Sequence, residues 1–418
     1  MNILILNVHS ALNLGDDGIM WGTLAGLKRI YPDAHITIAA NDPESWQKYK
    51  QIKVIHSLCH WVADCQTGNW HNSLIKTPVV LAILFIYAFA FRVFGLRLRL
   101  GVHEKQHLMT AYYDADLVLS CGGGNFYANH PLSPSFFWNL IAIALSIALG
   151  KTTILLPQSV GPINGTLLKK LSRFVFNRIS LIMVREPISL EFAKHALKVT
   201  SPVKLLPDIA FTLPDNQITI PVHNTKRDVF RIGVTVMDRK AQLSNFESQT
   251  NYEDMIVELL IESINMWSAE VIIFAQVFGP TPDQDDKHIA GRIYQRIYQV
   301  AKNQVRLIDS FTNALEVKSA YRQVDCLIAT RMHAAIFALG VGTPTIVIGY
   351  QPKSLGMISY YGLEEYYCDI ETVTYELLKA KLIKAKENID FLKTQIILNN
   401  QQIHPYLWDW LSYLTMQI

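Results

Sequence analysis

An arginine and a histidine two residues apart stand at the head of an apolar helix, in Thr330-Arg331-Met332-His333. The preceding run, Asp325–Ala329, is largely apolar and partly β-branched, which predicts a buried strand. The following run, Ala334–Leu339, favours helix and is closed by Gly340, Gly342 and Pro344. Thr345–Ile348 is β-branched again, so the four residues fall on the strand-to-helix turn of a β-α-β unit. Unpaired N–H groups at a helix start are partly positive and attract anions. Arg331 adds a two-pronged grip on phosphate or carboxylate, and His333 can move a proton. Lys353, beyond the next strand, is placed to close over the same site. The competing reading has Thr330 capping the helix, Arg331 in solvent and His333 satisfied in a packed wall.

Further candidates sit at other strand ends. Asn13-Leu14-Gly15-Asp16-Asp17-Gly18 follows the first strand, and a carboxylate there can orient or deprotonate a sugar hydroxyl. Asp16 is the candidate base; for Asp17, capping a helix that starts at Gly18 competes with contact to a ligand. In Cys121-Gly122-Gly123-Gly124-Asn125 the glycines let a ligand approach the backbone, or simply make a turn. The spacing is not G-x-G-x-x-G, so a dinucleotide fingerprint is not supported. Gln158 closes one strand, and Arg185 the next, just before Pro187, a favoured first helical residue; a surface salt bridge is the competing fate of Arg185. His103-Glu104-Lys105-Gln106-His107 matches a zinc-peptidase pattern, but polar residues separate the histidines and no third ligand is placed. His56, Cys59, His60 and Cys65 cluster without finger spacing. No metal or cofactor is expected.

Strand-like runs recur at Asn2–Asn7, His35–Ala40, Lys53–Leu58, Asp116–Cys121, Thr152–Gln158, Leu181–Glu186 and Val203–Pro207. They resume at Arg231–Val236, Glu270–Gln276, Val305–Asp309, Asp325–Ala329 and Thr345–Ile348. Helical stretches such as Gly18–Tyr31, Phe136–Leu149, Gly165–Ile179 and Pro187–Leu197 alternate with them, which predicts mostly parallel sheets covered on both faces. The expected architecture is α/β, two doubly wound, Rossmann-like domains with a ligand cleft between them. Residues 1–213 form the N-terminal domain, 214–228 a polar linker with Pro214 and Pro221, and 229–374 the C-terminal domain. Residues 375–418 form a helical tail that packs back onto a domain face.

One insertion, 78–100, interrupts the alternation. Pro78–Phe91 is almost wholly apolar and is followed by Arg92, Arg97 and Arg99. Fourteen residues fall short of the ~20 that span a bilayer. A buried helix competes with one lying in the membrane surface, its arginines against anionic headgroups.

Composition narrows the class. With 418 residues, 50% hydrophobic and 17% charged, disorder is excluded, and a formal net charge of +3 gives no case for nucleic acid. Five scattered cysteines argue for a reducing compartment, and MNILILNV reads as a first strand instead of a leader. The expected location is the cytoplasm, with peripheral contact at the inner face of the plasma membrane if the insertion meets lipid.

Six stretches, NLGDDGI (13–19), LVLSCGGGNF (117–126), LLPQSVGPI (155–163), IMVREPIS (182–189), LLPDIAF (205–211) and ATRMHAAIFALGVGTPTIVIGYQPKSLG (329–356), together resemble the polysaccharide pyruvyl transferase family. The resemblance implies a two-domain fold like that of the B-type glycosyltransferases. It also implies metal-independent transfer of pyruvate from phosphoenolpyruvate to two hydroxyls of a glycan or lipid-linked sugar, in cell-surface or exopolysaccharide biosynthesis. The donor is then expected against Arg331, Met332 and His333 and against an upstream arginine matched to Arg185, with Lys353 alongside. Asn13, Asp16, Asp17, Gly122, Gly123, Gly124, Asn125 and Gln158 are expected on the acceptor side. Two guanidinium forks suit a donor bearing phosphate and carboxylate, His333 is the candidate acid and Asp16 the base. Two rivals share these residues: a B-type glycosyltransferase using a nucleotide sugar, and a non-catalytic membrane-surface scaffold of capsule assembly.

Overall fold

Short aliphatic, β-branched runs bounded by polar turns become fourteen strands among the described residues, and a computed structural model arranges them in two parallel sheets. The structure describes residues 1–62, 73–99, 103–215, 229–238 and 249–416. Strands of the first sheet are β1 (Asn2–Val8), β2 (His35–Ala40), β3 (Lys53–His56), β4 (Leu117–Ser120), β5 (Gly123–Ala128), β6 (Thr152–Ile163), β7 (Leu181–Val184) and β8 (Val203–Leu205). Those of the second are β9 (Arg231–Thr235), β10 (Glu270–Phe274), β11 (Val305–Ile308), β12 (Cys326–Ala329), β13 (Thr345–Gly349) and β14 (Tyr367–Asp369). The orders are β3-β2-β1-β4-β6-β7-β8, with β5 beside β6, and β11-β10-β9-β12-β13-β14. Every pairing between named strands is parallel. The predicted doubly wound class is therefore correct. Central strands such as β4 and β12 are buried along their whole length, because helices cover both faces and leave no polar side to the strand.

By contacts the chain divides into one unit of Met1–Ala11, Ile19–Ile209 and Tyr406–Ile418, and a second of Leu12–Gly18 and Ala210–Pro405. The end of the tail thus belongs to the first unit, where Trp410 is buried and fills the space that a side chain at Gly26 would need. The loop at Leu12–Gly18 belongs to the second. Most of the expected linker, residues 216–228, lies outside the described residues.

Four local readings change. The first helix runs Leu14–Ile30, so it begins before Gly18 and carries Asp16 and Asp17 in its first turn, where carboxylates oppose the helix dipole. The glycine run is not a bare turn: Gly123–Ala128 forms strand β5 along the far half of β6. A Cβ on Gly122 would lie 2.7 Å from the Pro157 carbonyl oxygen, so absent side chains are what let the two segments close up. The apolar insertion is a helix, Ser73–Phe94, with one face in the core and one face out. Cys59 is disulfide-bonded, while Cys121, Cys326 and Cys368 are free and buried. Singly scattered thiols were therefore not the whole picture.

Candidate active site

In the second unit, β12 ends at Ala329 and the next helix, Met332–Gly340, starts with Arg331 as its N-cap residue in extended conformation. The N-cap is Arg331 and not Thr330. The Thr330 hydroxyl instead lies 2.7 Å from the Tyr252 hydroxyl, and its N–H donates to Thr235 Oγ1 at 3.2 Å.

Arg331 is 8% exposed and is held by a carboxylate that sequence reading did not single out. Its Nε donates to Asp286 Oδ2 at 3.3 Å, and its Nη2 makes a second bond to Oδ1. Asp286 opens the helix Asp286–Ala301 and also accepts from the N–H groups of Val277 (3.0 Å) and Gln276 (3.4 Å). Burial pushes the Asp286 carboxyl up from its ordinary range, against the pull of Arg331 and those two N–H groups. Burial also works against the Arg331 charge, but Asp286 and Tyr350 outweigh it and keep the guanidinium firmly protonated. Arg331 is thus a buried, paired cation, not a loose one. A signal for Asp286 was present in TPDQDD (281–286), an acidic helix start after a strand, but nothing in that stretch says which cation it meets.

The loop after β1 docks on the same scaffold. Leu12 O accepts from Phe278 N (2.9 Å), Leu14 N donates to Gln276 O (3.4 Å), and Asn13 bridges Val277 antiparallel. Asn13 Oδ1 accepts from Gly15 N at 3.1 Å, which folds the loop into the helix start. Asp17 is 1% exposed, and its Oδ2 accepts from Ala314 N at 2.9 Å. It therefore ties down the first N–H of another helix, Ala314–Tyr321, and does not cap its own. Asp16 stays half-buried beside it.

Two glycines then meet two rings. A Cβ on Gly15 would fall 2.1 Å from His333 Nδ1, and one on Gly18 would fall 2.8 Å from the Phe337 ring. Positions i and i+3 of one helix thus receive i and i+4 of the other. The His333 imidazole lies against Gly15, one residue from Asp16 in sequence. The residue next in sequence to the base candidate thus touches the acid candidate, over 300 positions away in the chain. Met332 is buried, and Lys353 is half-exposed on the helix Pro352–Ser359 that follows β13.

The first unit holds a second polar cluster at the ends of β6 and β7. Arg185 is 4% exposed, so it has no surface salt bridge; its Nη1 donates to Asp208 Oδ2 (2.6 Å), and its Nε donates to Ser159 Oγ (3.0 Å) and lies 3.5 Å from Glu186 Oε2. Its Nη2 has no partner among the described residues, and neither amide atom of the wholly buried Gln158 has one. Buried orphan donors and acceptors are costly, and ligand sites are where such costs are tolerated. Asn125 is used internally: its amide donates to Asn7 O (3.1 Å) and Cys121 O (3.3 Å). Gly122 and Gly123 are buried and Gly124 is exposed.

Among the described residues no group of three His, Cys, Asp or Glu side chains is gathered as for a metal ion. His60 Nε2 is 2.9 Å from Asn41 O and its ring packs edge-on to His56, an internal arrangement. His107 is on the helix His103–Asp114, while the His103 and Glu104 side chains lie outside the described residues.

Comparison with known proteins adds three findings. A family model described as polysaccharide pyruvyl transferase matches residues 13–352. The amylovoran biosynthesis protein AmsJ of Erwinia amylovora is 25% identical over 407 residues, which cover 95% of this chain and 94% of that protein. Solved structures of similar fold include the UDP-GlcNAc 2-epimerase of Neisseria meningitidis bound to UDP-GlcNAc, with a TM-score of 0.60 at 12% identity and full coverage of both chains. The spinosyn rhamnosyltransferase SpnG gives 0.56 at 11% identity over 99% of each chain. At such identities the likeness speaks for the fold, that of the B-type glycosyltransferases.

Proposed function

The chain belongs to the polysaccharide pyruvyl transferase family, and from that premise we propose that it transfers pyruvate from phosphoenolpyruvate to two hydroxyls of a glycan or lipid-linked sugar, as a ketal. By its likeness to AmsJ the reading extends to exopolysaccharide biosynthesis. The observation that carries it is the His333 ring seated on Gly15 beside Asp16, at the turn that also bears Arg331.

The chemistry requires a proton delivered to the methylene carbon of phosphoenolpyruvate, making it a methyl group, while a sugar oxygen bonds to the neighbouring carbon. His333 delivers that proton, and Asp16 takes the one released by the attacking hydroxyl. The carbon–oxygen bond to phosphate then breaks, the second hydroxyl adds at the same carbon, and its proton leaves with the phosphate. Arg331 meets the anionic donor from a position fixed by Asp286, so its positive charge is in place before the donor arrives. Arg185 is assigned to the donor as well, through Nη2, and the Gln158 amide to acceptor hydroxyls. Lys353 adds a positive charge for the phosphate.

The test is incubation with phosphoenolpyruvate and extracted lipid-linked sugars, with product mass and phosphate release as readouts. A ketal-bearing product with equimolar phosphate is the expected result. Thermal stabilisation by uridine diphosphate but not by phosphoenolpyruvate, with no phosphate released, would replace this reading with nucleotide-sugar transfer.

A further inference from the structure

We propose that one helical face of the first unit is a docking surface for an anionic lipid bilayer, with its helices lying in the membrane plane. The helix Ser73–Phe94 is long and apolar enough over Lys76–Phe94 to cross a membrane. Its packing shows why it does not. Val80, Leu84, Tyr87 and Ala88 are buried in a core with Trp61, Tyr112 and Trp138, so that face is already committed to protein. A spanning helix would have to give those contacts up.

Among the described residues of the first unit, the opposite face has no such partner. Val79, Ala82, Phe85, Ile86, Phe89 and Val93 recur at helical spacing and are exposed, Phe85 by 71%. Phe85 stacks on Phe89, and Phe89 meets Phe94 edge-on, so the exposed rings form one cluster. Scattered exposed apolar residues are ordinary, but a contiguous stripe of large ones marks a contact surface.

The stripe continues beyond that helix. The next helix in the layer, Pro134–Ala148, packs against Ser73–Phe94 on one side and against Thr166–Phe176 on the other. It carries no charged residue; Phe137, Ile141, Ala144 and Ile147 are partly exposed and Ala148 is exposed, beside Ser135 and Asn139 as its accessible polar side chains. Thr166–Phe176 adds exposed Leu167 and Phe174, 70% and 57% accessible. Three adjacent helices thus present apolar side chains outward.

Charge decides the occupant. From Leu117 to Arg185 the sequence has no Asp or Glu, and none of the three helices contains one. Their exposed charges are all positive: Lys76, Arg92, Lys169, Lys170 and Arg173, with Arg178 just beyond. Arg178 sits over the Phe174 ring, 3.7 Å from its centroid, a cation held next to an exposed apolar group. Apolar side chains beside uncompensated lysines and arginines match acyl chains beneath anionic headgroups. A second copy of this surface would bring like charges together, which argues against a symmetric dimer as the occupant.

The experiment is co-sedimentation of the full chain with phosphatidylcholine vesicles, with and without one-third phosphatidylglycerol. Two variants are compared: Phe85→Asn with Phe89→Asn, and Lys169→Glu with Lys170→Glu and Arg173→Glu. All five side chains are exposed, so circular dichroism and thermal midpoint should match wild type. Wild type should bind the anionic vesicles at least tenfold more tightly than the neutral ones, and each variant should lose at least tenfold. Absence of wild-type binding to anionic vesicles would overturn the proposal, as would variants that bind like wild type. A wild-type dimer that Phe85→Asn with Phe89→Asn converts to monomer, with no vesicle binding by either, would assign the surface to self-association. These outcomes do not depend on the pyruvyl donor, so they can fail while the proposed reaction stands.

Discussion

His333 delivers a proton to carbon in the proposed reaction, and glutamine keeps its polarity and roughly its size without that ability. His333→Gln should lower turnover by roughly 10²–10⁴ while phosphoenolpyruvate affinity changes little. Near-normal turnover, with binding intact by calorimetry, would remove it from the chemistry. The arginines need different treatment because each is a buried partner of carboxylates. Arg331→Ala would leave Asp286 buried and unpaired, so about 3–5 kcal/mol of stability would go with the side chain. Arg331→Lys and Arg185→Lys retain charge and lose the fork, which separates recognition from folding. Each should raise KM for phosphoenolpyruvate by the equivalent of about 1.5–3 kcal/mol, the range for a charged hydrogen bond, with the acceptor KM unmoved. The opposite split for Arg185→Lys is the informative failure. Asp208 and Glu186 already flank that guanidinium, and such a result would move it to the hydroxyl side with Gln158.

At the scale of elements, the site depends on how closely the first helix approaches Met332–Gly340. Gly15 and Gly18 are notches for His333 and Phe337. In an exposed helix Gly→Ala gains up to about 1 kcal/mol. Here Gly15→Ala would drive a methyl group into the imidazole, so the ring must leave its seat. Gly15→Ala should therefore cost turnover at least tenfold with the fold retained, whereas Gly18→Ala should act mainly on stability. If Gly15→Ala turns over like wild type, the seat is not what positions His333. The strand-to-helix position of Arg331 was legible from apolar runs either side of it, whereas Gly15, expected in a turn before the helix, lies inside its first turn. What could not be read was the partner. Ring-into-notch packing and the Arg331–Asp286 pair join residues with no fixed spacing, so no periodicity reports them. For the same reason Asp17 read as either a cap for its own helix or a ligand contact, when its carboxylate reaches Ala314 almost three hundred residues on.

For the whole molecule, alternation of strand and helix was enough to give two parallel sheets, since only crossover helices let parallel strands follow one another. The departures, β5 and β14, are strands of six and three residues, one of them glycine-rich, where β-propensity is weakest. A buried amine provides a test of the second unit as a folded body. Lys318, on the helix Ala314–Tyr321, is 4% exposed, and its ammonium donates to the Leu213 carbonyl oxygen. Burial lowers its pKa from 10.5 to about 8, because a low-dielectric surround disfavours the charge. The sign follows from proton counting. Below about pH 8 both folded and unfolded chains carry the ammonium, and the full penalty of burying it is present. Between about pH 8 and 10.5 the unfolded chain holds more protons, so this group makes stability rise with pH until the penalty is gone. That span corresponds to ~3 kcal/mol. Lys318→Met keeps the length and removes the titration. Chemical denaturation of both proteins across this interval should therefore show Lys318→Met more stable at the acid end, with the advantage shrinking as pH rises. A difference that stays constant over the same interval would mean that the amine is solvated in the folded chain, and the burial argument would fall with it.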